Sequence, residues 1–157
     1  MPQRPIDAID RRILRELQDH AKLTNVELAA RVGLSPSPCL SRVRALEGDG
    51  VIAGYVALVR PETLGLGISV FIQIALERQV ERALETFETR MAQYPEVMEC
   101  YLMTGDSDYL IRVVVRDMAA LERFIVQQLS KIPGVANIKS SFALKQVKYK
   151  TALPLEG

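Results

Sequence analysis

Two hydrophobic periodicities divide the chain: a helical one that ends near residue 50, and a strand-like alternation that begins at Ile68. In the first part, apolar residues recur three and four positions apart, which predicts amphipathic helices. The first helix follows Asp7, the second lies between Thr24 and Gly33, and the third begins after Ser35. The spacing predicts a three-helix unit, closed after a glycine-rich turn by an extended segment.

Local signals mark the ends of the second and third helices. Thr24 followed by Glu27 predicts a capping box, and Gly33 ends the helix because glycine accepts the left-handed conformation. Ser35 is predicted to cap the third helix, with Pro36 at a first position where the missing N–H costs nothing. Helix, glycine-containing turn and helix is the plan of a helix-turn-helix.

The third helix has an apolar inner face and a slim outer face. The outer face consists of small residues edged by arginines, namely Ser37, Pro38, Ser41, Ala45, Arg42 and Arg44. Such a face fits a DNA major groove, where arginine pairs with guanine or phosphate and serine reaches either. The pattern alone also fits two packed helices with a solvated outer face, since short helix-turn-helix patterns are weak evidence.

The second part predicts an α+β domain. The predicted elements are a strand at Ile68–Leu76, a helix at Val80–Tyr94, strands at Val97–Met103 and Tyr109–Val115, a helix at Met118–Leu129 and a long extended segment at Val135–Tyr149 with a bulge near Lys145. This order is the ferredoxin-like βαββαβ arrangement. The Arg-Pro-Glu break at 60–62 predicts a linker, and therefore domains at 1–62 and 63–157.

Composition narrows the class of protein. The chain has 157 residues, 48% hydrophobic and 25% charged, which is typical of a globular protein. It lacks an apolar run of about 20 residues and a signal peptide, so we expect a cytoplasmic protein without a membrane partner. The net charge is only +1. A monomer with so little positive charge binds DNA weakly at physiological salt, which favours a dimer on two half-sites.

Residues for catalysis or metal binding are scarce. Cys39 and Cys100 lie far apart inside apolar patterns, and His20 is the single histidine. These spacings argue against a disulfide framework or a zinc site, and we expect both thiols to be buried. No nucleophile, glycine-rich phosphate loop or acid cluster accompanies the acidic residues, so the sequence predicts no metal, no cofactor and no enzyme.

The stretch MTGDSDYL at 103–110 is the candidate ligand site. The N–H groups of Thr104, Gly105 and Asp106 are predicted to form a nest for a carboxylate, and Asp106 and Asp108 to accept an ammonium group. Together these receptors describe an α-amino acid, with leucine as first choice because Met103, Leu110 and Met118 are apolar. The alternative is an ordinary hairpin turn, in which the same residue types are common.

Several stretches together resemble the Lrp/AsnC family of transcription regulators, also called leucine-responsive or feast/famine regulators. They are IDAIDRRILRELQDHAKLTNVELAARVGLSPSPCLSRVRALEGDGVI, ECYLMTGDSDYLIRV and IPGVANIKSSFALKQVK. The resemblance covers nearly the whole chain. The region from EVMECYLMTGDSDYL through SSFALKQVKYKTALPL is most similar to the subgroup that activates branched-chain keto-acid dehydrogenase operons.

The resemblance implies a winged helix-turn-helix, a linker strand and an ACT-like effector domain. It also implies homodimers joined through the effector sheet, assembly as tetramers or octamers, and amino acids bound between effector domains. The recognition helix matches Ser35–Glu47, and the candidate DNA-binding residues are Thr24, Asn25, Ser35, Ser37, Pro38, Ser41, Arg42 and Arg44. The candidate ligand-binding residues are Met103, Thr104, Gly105, Asp106, Asp108, Tyr109, Leu110, Met118, Ser141, Phe142 and Ala143. Ser141 replaces a larger aromatic residue of the leucine-responsive members.

The sequence leads to one principal hypothesis and two competitors. The principal one is a nucleoid-associated, cytoplasmic regulator that binds pseudo-palindromic double-stranded DNA and responds to an amino acid. The first competitor is an architectural protein that compacts DNA, whose second domain serves only assembly. The second is an allosteric subunit of an amino-acid enzyme, which the helix-turn-helix argues against.

Overall fold

The computed structural model describes residues 4–156, and these form two compact units. The first unit runs to Leu58 and includes the carboxyl-terminal tail that begins at Val147. The second unit is Val59–Gln146. The sequence predicts the tail as part of the second domain, whereas the structure groups it with the first unit.

Hydrogen bonds to the first helix account for the position of the tail. The backbone N–H of Leu153 donates to Oε1 of Gln18 at 2.6 Å, and the carbonyl oxygen of Leu153 accepts from Nε2 of Gln18 at 3.1 Å. Nη2 of Arg15 donates to the carbonyl oxygen of Leu155 at 2.7 Å. Such main-chain partners, 135 to 140 positions away, leave no local sequence signal.

The first unit contains, within residues 4–156, three helices: α1 at Ala8–Asp19, α2 at Asn25–Val32 and α3 at Pro36–Gly48. The predicted caps at Asp7 and Thr24 are confirmed, since each forms a reciprocal capping box. Gly33 ends α2 with a φ of 75°, as predicted. The predicted cap at Ser35 is wrong in one respect: the residue occupies the cap position, but its side chain makes no capping hydrogen bond.

Apolar side chains from all three helices form the core of the first unit. The buried members are Ile13, Leu17, Leu28, Ala29, Val32, Cys39 and Leu46. Val51 and Ile52 pack partly against this core after α3 ends. The predicted extended segment follows at 53–60, but it forms no strand, because no strand of the described chain pairs with it.

The second unit has the predicted βαββαβ order. Its elements, within the described residues, are a 3-10 turn at Pro61–Leu64, β1 at Ile68–Leu76, α4 at Glu81–Gln93, β2 at Val97–Leu102, β3 at Tyr109–Val115, α5 at Met118–Arg123 and β4 at Val135–Phe142. The antiparallel sheet has the order β2-β3-β1-β4. Alternate residues of β1 and β3 are buried against α4 and α5, as period-two patterning predicts.

Three details of the second unit differ from the prediction. The helix after β3 changes to a π-helical turn at Phe124–Gln128 and a 3-10 turn at Leu129–Lys131. The last strand ends at Phe142, and 143–149 is exposed. The irregularity lies where Ala75 and Leu76 of β1 pair with β4, rather than near Lys145. Periodicity did not reveal these changes because each keeps the helical or extended spacing of apolar residues.

The described residues also test the exclusions drawn from composition. No helix among them is both long and apolar enough to span a membrane. No group of three or more histidine, cysteine or acidic side chains in residues 4–156 is arranged to hold a metal ion. Cys39 is buried as predicted, but Cys100 is exposed, because β2 is an edge strand of the sheet.

Candidate nucleic-acid interface and effector loop

The recognition helix α3 presents the slim outer face that its sequence predicts. Cys39 and Leu46 are buried against α1 and α2, so the helix is fixed along one side. Ser37, Pro38 and Ser41 are exposed on the other side. The structure therefore leaves small polar side chains on a surface that a groove of DNA can receive.

Arg44 and Arg42 have different surroundings on α3. The Arg44 side chain is exposed and forms no ion pair with any residue between 4 and 156. Arg42 donates from Nη1 to Oδ2 of Asp7 at 2.7 Å and to Oδ1 of Asp10 at 3.0 Å. Arg44 is thus available to a phosphate or a base edge, whereas Arg42 joins α3 to the start of α1.

Asp10 is the centre of this connection. Its side chain is fully buried, and its Oδ2 also pairs with Nη1 of Arg4 at 3.0 Å. The backbone N–H of Asp10 and the Arg42 guanidinium lower the pKa of Asp7 to about 2, and both carboxylates raise the pKa of Arg42. We call Asp7, Asp10 and Arg42 the carboxylate clamp; sequence reasoning took the two acids only as a cap and a solvated residue.

Thr24 and Asn25 contribute to the geometry of the helix pair. Oγ1 of Thr24 accepts from the N–H of Glu27 at 3.2 Å, and this capping box lowers the pKa of Glu27. Nδ2 of Asn25 donates to the carbonyl oxygen of Pro36 at 2.7 Å, which ties α2 to the first turn of α3. Their structural contacts are clear, and their predicted contacts with DNA stay a prediction.

The effector loop connects β2 to β3 at 103–108. Gly105 has a φ of 111°, which favours glycine. The N–H of Met103 donates to the carbonyl oxygen of Asp108 at 2.8 Å, and this closes the loop. The N–H groups of Thr104, Gly105 and Asp106 make no hydrogen bond within residues 4–156, so the predicted nest is free to receive an acceptor.

The two aspartates of the loop are not equivalent. Asp106 is exposed, whereas Asp108 is buried. Oδ2 of Asp108 accepts from the N–H of Leu76 at 2.6 Å, and Oδ1 accepts from Nε2 of Gln79. Because both oxygens of Asp108 already have donors, this carboxylate holds the loop against β1, and Asp106 is the acceptor available to an ammonium group.

Tyr109 lies beneath the loop rather than on its surface. Its ring is buried and stacks on Phe87 with a centroid separation of 4.4 Å. Its hydroxyl donates to Oε1 of Glu88 at 2.6 Å, and burial, followed by this carboxylate, raises the pKa of Tyr109. Glu88 was not identified from the sequence, because its position on α4 suggests only a solvated face. Leu110 is half-buried on β3.

The remaining candidate ligand residues lie at the opposite end of the sheet from the loop. Tyr109 pairs with Ile74 near one end of β1, and Val115 pairs with Ile68 at the other. Met118 follows Val115, and the far end of β4 carries Ser141, Phe142 and Ala143. The seven residues of β3 span about 20 Å, so one chain does not place both groups around one small amino acid.

The two units define a class of protein. A helix-turn-helix with an exposed recognition helix, followed by a ferredoxin-like domain with an open effector loop, is the organisation of a ligand-responsive transcription regulator. Residues 6–53 match the family model for a winged helix-turn-helix DNA-binding domain, and residues 69–153 match that for the Lrp/AsnC ligand-binding domain. The chain belongs to the Lrp/AsnC family.

Relatives of known structure or function cover almost the whole chain. The Bkd operon transcriptional regulator of Pseudomonas aeruginosa is 49% identical over 150 residues, 96% of this chain and 98% of the relative. The leucine-responsive regulatory protein of Escherichia coli K12 is 41% identical, over 99% and 94%. A transcriptional regulator of Neisseria meningitidis, solved as its L-Met complex, has a TM-score of 0.92 at 42% identity, over 96% and 97%. The chain is thus a DNA-binding transcription regulator with an amino-acid-binding domain.

Proposed function

We propose that this regulator binds pseudo-palindromic DNA as a homodimer or a larger assembly of dimers, with α3 of each copy in a major groove. The exposed outer face of α3 carries this proposal. With a net charge of only +1, one copy offers few phosphate contacts, and a second half-site doubles them. Because such a protein acts on the chromosome, we place it in the cytoplasm, associated with the nucleoid.

Three side chains on α3 are the proposed groove contacts: Ser37, Ser41 and Arg44. All three are exposed, and Arg44 has no competing carboxylate among the described residues. Arg42 acts mainly through the carboxylate clamp and sets the angle of the helix. The predicted DNA contacts of Thr24, Asn25, Ser35 and Pro38 stay predictions.

Footprinting and mobility shifts on DNA selected by binding from the source genome test this assignment. We expect discrete protected sites with two half-sites, and about 1–3 kcal/mol of lost affinity for Arg44→Gln if it contacts a base. Lys22→Gln is a matched loss of one exposed positive charge outside α3. Uniform coating of every fragment indicates a DNA-compacting protein, and equal effects of both variants contradict a specific role of Arg44.

The proposed effector is a small aliphatic amino acid, with leucine as first choice, bound at the effector loop. The free N–H groups at 104–106 suit its carboxylate, and exposed Asp106 suits its ammonium group. The relatives named as leucine-responsive and as an L-Met complex support this ligand class. Met118 and Ser141–Ala143 lie about 20 Å away, so we place their contribution on a second copy that meets the loop.

Calorimetry with each of the twenty amino acids on the full-length protein tests the effector assignment. Asp106→Asn is the informative variant, because it removes the free carboxylate without touching a structural hydrogen bond. We expect binding of leucine or a similar amino acid to weaken by about tenfold or more in this variant. Glu77→Gln, an exposed carboxylate on another segment, is the control, and equal binding by Asp106→Asn and wild type refutes the ammonium contact.

A further inference from the structure

A second cavity of about 330 Å³ lies at the end of the sheet opposite the effector loop. The start of β2, the end of β3 and the helix after β3 enclose it on several sides. Its apolar lining includes Leu66, Val115 and Phe124, and its polar lining includes Glu96, Gln128 and Arg123. None of the residues predicted to bind the effector lines this cavity, so it is separate from the loop site.

Two buried oxygen atoms in this cavity lack hydrogen-bond donors. Oε2 of Glu96 and Oε1 of Gln128 are inaccessible and accept no hydrogen bond from any residue between 4 and 156. Buried acceptors are almost always paired in folded proteins, because an unpaired one forfeits its hydration without compensation. Their shared location in one cavity indicates a ligand that carries several donors.

The backbone around these two oxygens is irregular in both elements. Gln128 ends the π-helical turn Phe124–Gln128, a deviation that recurs at functional sites. Glu96 precedes β2, where the register with β3 shifts between Val97 and Glu99. The carbonyl oxygen of Glu96 accepts from the N–H of Val114 at 3.0 Å, which fixes this residue beside β3. Both acceptors therefore sit on segments that depart from regular geometry at the same cavity.

Two guanidinium groups provide the complementary charge. Arg116 and Arg123 line the same cavity, and neither forms an ion pair within the described residues. In particular, neither pairs with Glu96, although all three side chains reach the cavity. The site thus offers acceptors and cations to a single small molecule, and Leu66, Val115 and Phe124 supply an apolar wall.

We propose that this cavity binds a second aliphatic α-amino acid. The ammonium group donates to Glu96 and Gln128, the carboxylate accepts from Arg116 and Arg123, and the side chain contacts the apolar wall. A volume of about 330 Å³ is at the lower end of the roughly 300–1,000 Å³ of small-molecule sites. The inference goes beyond the proposed function, because this site is formed by one chain and does not use the effector loop.

Equilibrium dialysis of the full-length protein with radiolabelled L-leucine or L-methionine tests the proposal by counting sites per chain. We expect two sites in the wild type and one after Glu96→Gln, with affinity at the cavity reduced about tenfold or more. Glu122→Gln changes an exposed carboxylate on α5 and should keep both sites. Arg123→Gln removes the opposite charge and should give the same loss as Glu96→Gln, while thermal melting verifies that each variant is folded.

The site count also separates this proposal from the effector loop. If the wild type binds one molecule and Glu96→Gln none, the cavity proposal holds and the loop proposal fails. If Asp106→Asn abolishes all binding and Glu96→Gln changes nothing, the cavity proposal is overturned and ordinary water fills the cavity. N-acetyl-L-leucine and L-leucinamide each lack one charged group, so equal competition by either one overturns the assigned contacts.

Discussion

Replacement of Arg42 by glutamine isolates the contribution of the carboxylate clamp. The substitution removes the guanidinium that reaches both Asp7 and Asp10, but keeps a polar side chain of moderate length. Asp10 is fully buried, so the loss leaves one of its oxygens without its cationic partner. The variant therefore weakens the connection between α3 and the first turn of α1, not the outer face of α3.

The expected destabilisation follows from the burial of Asp10. Loss of one partner of a buried ion pair costs about 3–5 kcal/mol when the pair is isolated. Arg4 still pairs with the second oxygen of Asp10, and the Arg42 side chain is 27% exposed, so water and Arg4 compensate in part. We expect the free energy of unfolding of the first unit to fall by about 1–3 kcal/mol.

Urea unfolding and DNA binding should be measured on the same preparations of Arg42→Gln and Arg44→Gln. We expect a lower urea midpoint for the first variant and an unchanged midpoint for the second, because Arg44 makes no ion pair within the described chain. Both should bind DNA less tightly, the first because α3 is less firmly held. If Arg42→Gln keeps the wild-type midpoint and loses affinity as Arg44→Gln does, Arg42 is a direct DNA contact and our reasoning is refuted.

Three further predictions concern other hydrogen bonds and pH. Asp108→Asn should lower the free energy of unfolding by about 1–3 kcal/mol in urea titrations, because one buried donor loses its acceptor. Tyr109→Phe should lower it by about 1 kcal/mol in the same titrations, since only the hydrogen bond to Glu88 is lost. The pKa of Asp7 is lowered from 3.8 to about 2, so its stabilising contribution is complete above pH 4 and is lost as the pH falls through 2. Acid titration of Asp7→Asn, monitored by circular dichroism, should show a smaller loss of stability between these pH values than the wild type.

The sequence was most informative where structure depends on neighbours along the chain. The capping boxes at Asp7 and Thr24, the glycine at the end of α2 and the alternation in β1 all act within a few residues. The order of elements in the effector domain followed from these local patterns. The length of the last strand did not, because 143–149 keeps the alternation of a strand without a described strand beside it.

Side chains whose partners lie far away in sequence were harder to interpret. Arg42 has the spacing of a groove-facing residue, but its carboxylate partners are 32 and 35 positions earlier. Asp108 has the composition of a ligand receptor, yet Leu76 and Gln79 already occupy both of its oxygens. In both cases a charged residue was correctly placed in the functional region, and its role depended on a contact that only the fold reveals.

The separation of the candidate ligand residues has a consequence for regulation. An effector changes DNA binding only if it binds one arrangement of the protein better than another. The loop at 103–108 and the group formed by Met118 and Ser141–Ala143 lie about 20 Å apart in one chain. A ligand that contacts both groups must therefore join two copies, and its affinity is linked to how the copies assemble. For such a ligand, assembly is the variable that carries the signal to DNA, because several linked copies of α3 hold an operator more tightly than separate ones.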